Sequence, residues 1–204
     1  DLACSEVKDF LRPTFWPNTP DILHEDLQNG LPAAFMARIA LAGTLSSNYG
    51  IYGPAFELME HVPREPGSEE YRNSEKYEVK QWDLGAPHSL APFISKLNQI
   101  RKENPALQRT DNIRFHNVSN GEILCFSKSS RDNRNVILVC VNMDYRNVQD
   151  GSVEFSPMAV GIPEEPPFWV HDLLTDSRYQ WNQYWNYIRL DPAEYPVHIF
   201  RLER

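Results

Sequence analysis

Asp21 is the carboxylate whose setting in the sequence best fits a catalytic role. It ends the stretch Phe15-Trp16-Pro17-Asn18-Thr19-Pro20-Asp21, in which an apolar run passes into a polar turn. Proline fixes its own φ and favours extended backbone in the residue before it, so Pro17 and Pro20 hold Asp21 at a defined angle. In a (β/α)8 barrel the reacting side chains stand at the C-terminal ends of strands. The spacing therefore predicts a strand end that presents Asn18 and Asp21 to a substrate.

A simpler interpretation of the same residues is an ordinary turn. Asn, Pro and Asp are common turn residues, and Asp21 could simply cap the backbone before Leu23-His24-Glu25. The sequence pattern alone leaves both interpretations open.

The segments around Asp21 follow the order strand, helix, strand. A buried strand is predicted at Phe15-Trp16. Leu31 to Leu45 predicts a helix, because a proline suits its first turn and apolar residues recur every three or four positions on one face. Tyr49 to Gly53 predicts a short strand whose glycines allow a close backbone approach. This order is the repeating unit of an α/β barrel, and a second amphipathic helix is predicted from Ser89 to Lys102.

Residues Glu57 to Leu84 form a long polar stretch that contains Glu75-Lys76-Tyr77. Loops of this length are usually functional or disordered. The alternating charges are equally compatible with a plain solvated surface.

After Leu107 the sequence changes to short alternating segments separated by turn residues. Eight strands are predicted, at Ile113 to Val118, Glu122 to Lys128, Val136 to Met143, Gly151 to Phe155, Phe168 to Leu173, Tyr179 to Trp181, Tyr187 to Leu190 and Val197 to Leu202. Strands at this spacing are typical of an antiparallel β-sandwich. The predicted fold class is therefore α/β plus all-β, with residues 1–108 as part of a (β/α)8 TIM barrel and residues 109–204 as the sandwich.

Composition points to a globular protein that does not bind nucleic acid. The 204 residues are 41% hydrophobic, and no apolar run is long enough to span a membrane. The formal charge of -8, without a dense Lys/Arg block, argues against a nucleic-acid partner. A neutral polymer such as a glucan fits better, because aromatic rings can cover the apolar faces of sugars.

Neither the histidines nor the cysteines have the spacing of a metal site. The six histidines show no pairing at metal-ligand spacing, so no metal is expected. Cys4, Cys125 and Cys140 also lack redox spacing, and the last two lie in apolar, strand-like runs. We interpret them as buried thiols in a reducing compartment, which predicts a cytoplasmic protein.

Several further segments accompany the Asp21 stretch. The set comprises Phe15 to Leu23, Gly43 to Tyr52, Gly67 to Tyr71, Ser74 to Glu78, Tyr187 to Pro192 and Pro196 to Phe200. Taken together, these segments resemble the C-terminal part of the alpha-1,4-glucan:maltose-1-phosphate maltosyltransferases, a family within glycoside hydrolase family 13, the alpha-amylase superfamily. The resemblance covers nearly the whole chain.

The resemblance implies a role for each candidate residue. It makes Asp21 the third family carboxylate, which stabilises the transition state, and Asn18 the residue that orients it. It makes Lys76 and Tyr77 residues that hold the far glucose of the donor maltosyl unit, whereas the structural alternative for Lys76 is a surface salt bridge with a neighbouring glutamate. The nucleophile and general acid of the family lie on earlier barrel strands, and neither motif occurs before Asp21.

The implied reaction is transfer of maltosyl from maltose 1-phosphate to the non-reducing end of an alpha-1,4-glucan, with retention, release of phosphate and no cofactor. Pro20 stands where commoner amylases have a histidine, which favours the maltosyltransferase branch. The resemblance also implies a homodimer, and the 204-residue chain alone is expected to be inactive. Two alternatives remain: an amylase-type hydrolase or transglycosylase acting on unphosphorylated glucans, and a structural or glucan-binding β-sandwich module.

Overall fold

The computed structural model describes residues 5–162 and 165–203, so Cys4 lies outside the described residues. Three α-helices are present, namely α1 (Pro32–Leu45), α2 (Gly53–Glu57) and α3 (Ala91–Glu103). Short 3-10 turns occur at Glu6–Asp9, Glu25–Leu27, Pro105–Gln108 and Pro157–Val160. The described residues contain ten strands, namely β1 (Thr14–Phe15), β2 (Asn48–Tyr49), β3 (Ile113–Phe115), β4 (Ile123–Ser129), β5 (Val136–Asn142), β6 (Gln149–Glu154), β7 (Phe168–Asp172), β8 (Arg178–Trp181), β9 (Trp185–Leu190) and β10 (Val197–Glu203).

Strands β1 and β2 form a parallel pair, and α1 makes the connection between them. The predicted order of strand, helix and strand is therefore confirmed. The prediction that Phe15-Trp16 is buried was wrong, because Phe15 is only half-buried and Trp16 is 49% exposed. Trp16 lies just after the end of β1, and among the described residues the sheet that contains β1 has two strands, so little of the structure covers these side chains.

The second predicted strand is shorter than expected, since β2 ends at Tyr49 and Gly53 begins α2. The expected close backbone approach is confirmed at Gly50, where an added Cβ would lie 2.5 Å from the ring of Trp16. It is wrong at Gly53, where no atom lies within 4 Å of such a Cβ. Gly50 also donates its backbone N–H to the carbonyl of Phe15 at 2.9 Å, which extends the parallel pairing.

Helix α1 matches the predicted range but not the predicted one-sided face. Ten of its residues are buried, and they include the consecutive run Ala33 to Ala37. A helix that is apolar on all sides is one that other elements cover on all sides. Helix α3 has the predicted stripe of Leu90, Phe93, Ile94, Leu97 and Ile100 facing the core. The hydroxyl of Ser89 accepts the N–H of Ala91 at 3.1 Å, but Leu90 occupies the N-cap position and makes no side-chain cap hydrogen bond. The prediction that Ser89 caps this helix was therefore wrong by one position.

All eight strands predicted after Leu107 are present, with small differences at their ends. Six form one antiparallel sheet in the order β3-β4-β5-β10-β7-β8, and β6 pairs with β9 in a separate antiparallel ribbon. The sandwich is therefore uneven, with six strands against two.

The six-stranded sheet is covered on both faces, which explains why its central strand β5 is buried throughout and apolar from Val136 to Val141. Ile137, Val139 and Val141 pack against α1 and α3 on one face. Val136, Leu138 and Cys140 pack on the other face, against residues of the β6-β9 ribbon.

His198 on β10 links the two sheets, since its Nδ1 contacts Asp172 on β7 at 2.8 Å and its Nε2 contacts the Arg189 carbonyl on β9 at 3.0 Å. No helix within residues 5–162 and 165–203 is long and apolar enough to cross a membrane.

Candidate active site

Asp21 lies in a tight turn that follows β1. The backbone N–H of Thr19 donates to the carbonyl of Ile22 at 3.1 Å, and the N–H of Ile22 donates back to Thr19 at 3.2 Å. Pro20 and Asp21 are the two residues enclosed by this pair of hydrogen bonds. The alternative in which Asp21 caps the next turn is not observed, because the side chain of His24 caps that turn through the N–H of Asp26.

Asn18 is buried beneath this turn, with 2% of its surface exposed. Its Oδ1 accepts the N–H of Tyr52 at 2.9 Å. Its Nδ2 donates to the Tyr52 carbonyl at 3.2 Å and to the Tyr71 hydroxyl at 2.8 Å. Asn18 therefore joins the chain before Asp21 to the segment after β2 and to the long polar loop. Its effect on Asp21 is indirect, since it fixes the position of the backbone that leads into the Asp21 turn.

The loop between α2 and α3 carries Lys76 on a turn that starts at the buried Ser74. The hydroxyl of Ser74 accepts the N–H of Lys76 at 3.1 Å, and its carbonyl accepts the N–H of Tyr77 at 2.9 Å. A serine that satisfies the backbone in this way fixes a local turn. The turn therefore determines where the Lys76 side chain emerges.

The same loop is attached to the residues that follow Asp21. The N–H of Leu23 donates to the Glu69 carbonyl at 2.5 Å. The side-chain amide of Gln28 donates to the Ser68 carbonyl at 2.9 Å and to the Leu23 carbonyl at 3.0 Å. These bonds hold the loop against the Asp21 turn. The role of Gln28 is not predictable from the sequence, because nothing local indicates its distant partner Ser68.

Lys76 and Asp21 meet across this arrangement. The Nζ atom of Lys76 lies 3.1 Å from Oδ1 of Asp21, and the two side chains are 47% and 61% exposed. The same Nζ lies 5.4 Å from the centre of the Tyr77 ring, within cation–π distance. The hydrogen bond to Asp21 raises the pKa of Lys76, with a further contribution from Tyr77, so the amine stays charged at neutral pH. The predicted alternative, a salt bridge with a neighbouring glutamate, is not what the structure contains.

Glu75 belongs to a second set of contacts beside this pair. It accepts hydrogen bonds from the Tyr52 hydroxyl and, at 2.9 Å, from Nε1 of Trp82. These two donors lower the pKa of Glu75. Burial and the bond to Glu75 raise the pKa of Tyr52. Both oxygens of Glu75 are thus engaged by Tyr52 and Trp82, and the ion pair of Lys76 is with Asp21.

The exposed group of Asp21, Lys76 and Tyr77 offers a carboxylate, an ammonium group and an aromatic ring to solvent. An exposed ion pair contributes little to stability, so the requirements of folding do not explain why these residues meet. Sugar hydroxyls can accept from the amine and donate to the carboxylate, and the ring can cover an apolar sugar face. Within the described part of the chain no group of three or more His, Cys, Asp or Glu residues could hold a metal ion.

Replacement of Asn18 by Ala is expected to destabilise the chain by about 1–3 kcal/mol, because it leaves the buried Tyr71 hydroxyl and Tyr52 backbone without their partner. Urea denaturation followed by circular dichroism measures this change. Asn48→Ala, at an exposed position, is the matched control. Equal midpoints for the two variants would show that Asn18 does not fasten the loop.

The fold is that of part of an alpha-amylase. The alpha-amylase from Geobacillus thermoleovorans, in complex with acarbose, superposes with a TM-score of 0.62 over 93% of this chain and 38% of the amylase. The two sequences are 11% identical, so this likeness shows the fold alone.

Closer relatives are alpha-1,4-glucan:maltose-1-phosphate maltosyltransferases. That of Methylacidiphilum infernorum is 49% identical over the whole chain, and that of Chlorobaculum tepidum is 50% identical over 99% of it. The family described as "GLGE, C-terminal" matches residues 115–202. The resemblance in the sequence is confirmed: the chain is a homologue of the alpha-1,4-glucan:maltose-1-phosphate maltosyltransferases and corresponds to their C-terminal part. It spans 30% and 31% of the length of these two relatives.

Proposed function

We propose that this chain is the C-terminal part of an enzyme that transfers maltosyl from maltose 1-phosphate to the non-reducing end of an alpha-1,4-glucan, with retention and release of phosphate. Asp21 stabilises the positive charge that develops on the reacting sugar, and Asn18 fixes the turn that carries Asp21. Lys76 and Tyr77 bind the far glucose of the donor. The nucleophile and general acid are contributed by residues outside this sequence.

The contact between Lys76 and Asp21 is the observation that supports this proposal most directly. The two residues are 55 positions apart, and their 3.1 Å contact brings together two residues to which the resemblance gives adjacent tasks. Both side chains are exposed, so a sugar can reach them without unfolding the loop. A carboxylate that faces an oxocarbenium-like transition state stabilises it electrostatically.

We also propose that residues 1–108 are the C-terminal part of a (β/α)8 barrel and that residues 109–204 are a separate sandwich domain. The parallel pairing of β1 with β2 through α1 supports the barrel, because parallel strands joined by a helix are its repeating unit. Asp21 follows β1 in the chain, at the end where barrel enzymes place their reacting groups.

Cytoplasmic location and a homodimer of the full-length protein remain part of the proposal. Cys125 and Cys140 are buried free thiols, as predicted, which is compatible with a reducing compartment. Size measurement of the full-length protein by light scattering tests the dimer.

Phosphate release tests the function. The full-length protein is incubated with maltose 1-phosphate, with and without a maltooligosaccharide acceptor, and free phosphate is measured. Release that requires the acceptor supports the transferase, whereas degradation of unphosphorylated glucan without phosphate release supports an amylase-type enzyme. The purified 204-residue chain is expected to release no phosphate, because neither the nucleophile nor the general acid is in this sequence.

Replacement of Lys76 by Met in the full-length enzyme is expected to lower kcat/KM for maltose 1-phosphate by about 10- to 100-fold, through loss of a charged hydrogen bond to the donor sugar. Lys80→Met is the matched control, since Lys80 lies in the same loop beside Glu60 and over the Trp82 ring. Initial-rate kinetics measure both variants. An equal loss in the two would mean that loop charge, rather than contact with the sugar, is responsible.

A further inference from the structure

Cys125 on β4 and Cys140 on β5 face each other inside the sandwich. They are direct register partners, and their Sγ atoms are 3.3 Å apart. The two side chains are 2% and 0% exposed, respectively, and lie among the apolar residues that separate the six-stranded sheet from the β6-β9 ribbon. We propose that these two cysteines are a reversible oxidation site, at which a small peroxide converts the thiol pair into a disulfide between β4 and β5.

The backbone hydrogen bonds place this pair at the position in an antiparallel sheet where a disulfide fits. The carbonyl of Cys125 accepts from His116 on the β3 side, so the backbone of Cys125 points away from β5. The N–H of Asn142 donates to Pro196 on the β10 side, and Cys140, two residues earlier, points the same way. The pair is therefore a non-hydrogen-bonded one.

In a non-hydrogen-bonded antiparallel pair the Cα atoms are about 4.5 Å apart. Disulfides occur at Cα separations of about 4.4–6.8 Å, so the bond can form without a change of register. The sulfur atoms need only approach by rotation of their own side chains. This register distinguishes Cys125 and Cys140 from two cysteines that lie in the same core without the geometry of a disulfide.

The oxidation proceeds in two balanced steps. One thiolate attacks an oxygen of hydrogen peroxide and breaks the O–O bond, so that the attacked oxygen stays on sulfur as a sulfenic acid. The other oxygen leaves as hydroxide and is protonated to water. The second thiol then displaces the sulfenic oxygen as a second water and forms the S–S bond. The two sulfurs together lose two electrons, which the peroxide accepts, and a dithiol reductant reverses the change.

The site is slow to react in the folded state. Burial raises the pKa of the Cys125 thiol, with a further contribution from Cys140, so little thiolate is present at neutral pH. Oxidation therefore requires brief separation of the ribbon from the sheet, and it should speed up in mild denaturant. The resulting bond would join two adjacent inner strands of the six-stranded sheet and hold them together afterwards.

The test uses the full chain with Cys4→Ser, which leaves two of the three cysteines. Folded protein is treated with hydrogen peroxide, and thiols are then counted after denaturation. The expected result is a fall from two titratable thiols per chain to none, with a loss of two hydrogens and no added oxygen at Cys125 and Cys140; oxygen gained at the four methionines is counted separately. Trypsin should release the peptides 115–128 and 135–146 as one linked species, which dithiothreitol separates.

Cys125→Ala and Cys140→Ala in the same background are the matched controls, and neither can form the internal bond. The oxidised Cys4→Ser chain should unfold at higher urea concentration than its reduced form, and the controls should show no such change. Native protein in which Cys125 or Cys140 gains oxygen atoms instead of forming the S–S bond would overturn the proposal. So would protein that keeps both thiols when peroxide is added in mild denaturant below the unfolding transition, where the proposed opening is favoured.

Discussion

Asp21→Asn in the full-length enzyme is expected to lower kcat for maltosyl transfer by roughly 100- to 1000-fold. Asparagine keeps the size of the side chain and removes its charge, so the turn between Thr19 and Ile22 is retained through its backbone hydrogen bonds. What is lost is the negative charge that faces the developing oxocarbenium ion. Phosphate release at saturating maltose 1-phosphate and acceptor measures the change.

Glu78→Gln is the matched control for charge, because Glu78 is exposed in the same loop and bonds to Ser74 through its backbone alone. It should leave kcat within a few-fold of the original. If Asp21→Asn also leaves kcat unchanged, then Asp21 is a turn residue whose ion pair with Lys76 is incidental. A rise in KM without a fall in kcat would assign Asp21 to substrate binding instead of to the transition state.

The sandwich was the part of the fold that the sequence predicted best. Short apolar or alternating runs between clear turn residues mark the strands, and these signals are local. How the strands divide between sheets is not local: β10 pairs between β5 and β7, and β6 leaves the main sheet to pair with β9. Nothing in the strand sequences distinguishes a six-plus-two arrangement from two equal sheets.

The contacts within the candidate site could not be predicted from the sequence. The segments that resemble the family contain Asp21 and Lys76, and in the structure Nζ of Lys76 lies 3.1 Å from Oδ1 of Asp21. The position of Asn18 could not be predicted, because a buried asparagine is explained only by partners that come later in the chain. Tyr52 and Tyr71, 34 and 53 residues away, are those partners.

Lys128 is a buried group that no sequence pattern identified. It lies on β4 with 1% of its surface exposed, on the face of the sheet that packs against the helices. Its Nζ donates to the carbonyl of Arg109 at 2.5 Å and to that of Leu45, at the end of α1, at 3.4 Å. The amine therefore joins the helical segment, the linker and the sheet.

Burial lowers the pKa of Lys128 from its usual 10.5 to about 7, and the charges of Arg101 and Arg109 add to this while Asp111 opposes it. Between these two values the unfolded chain binds a proton that the folded chain does not, so stability rises with pH in this window. Each pH unit there is worth at most about 1.4 kcal/mol. The free energy of unfolding is thus expected to gain about 2 kcal/mol from Lys128 between about pH 7 and about pH 9.

Lys128→Met removes this dependence while keeping most of the aliphatic stem. Urea unfolding of the chain and of the variant at both pH values measures the difference, in which the titration of other groups cancels. Lys102→Met, at an exposed position of α3, should leave the dependence intact. The same change in the free energy of unfolding with pH in the original chain and in Lys128→Met would contradict this prediction. It would mean that the carbonyls of Leu45 and Arg109 offset the cost of burying the charge and that Lys128 stays protonated at both pH values.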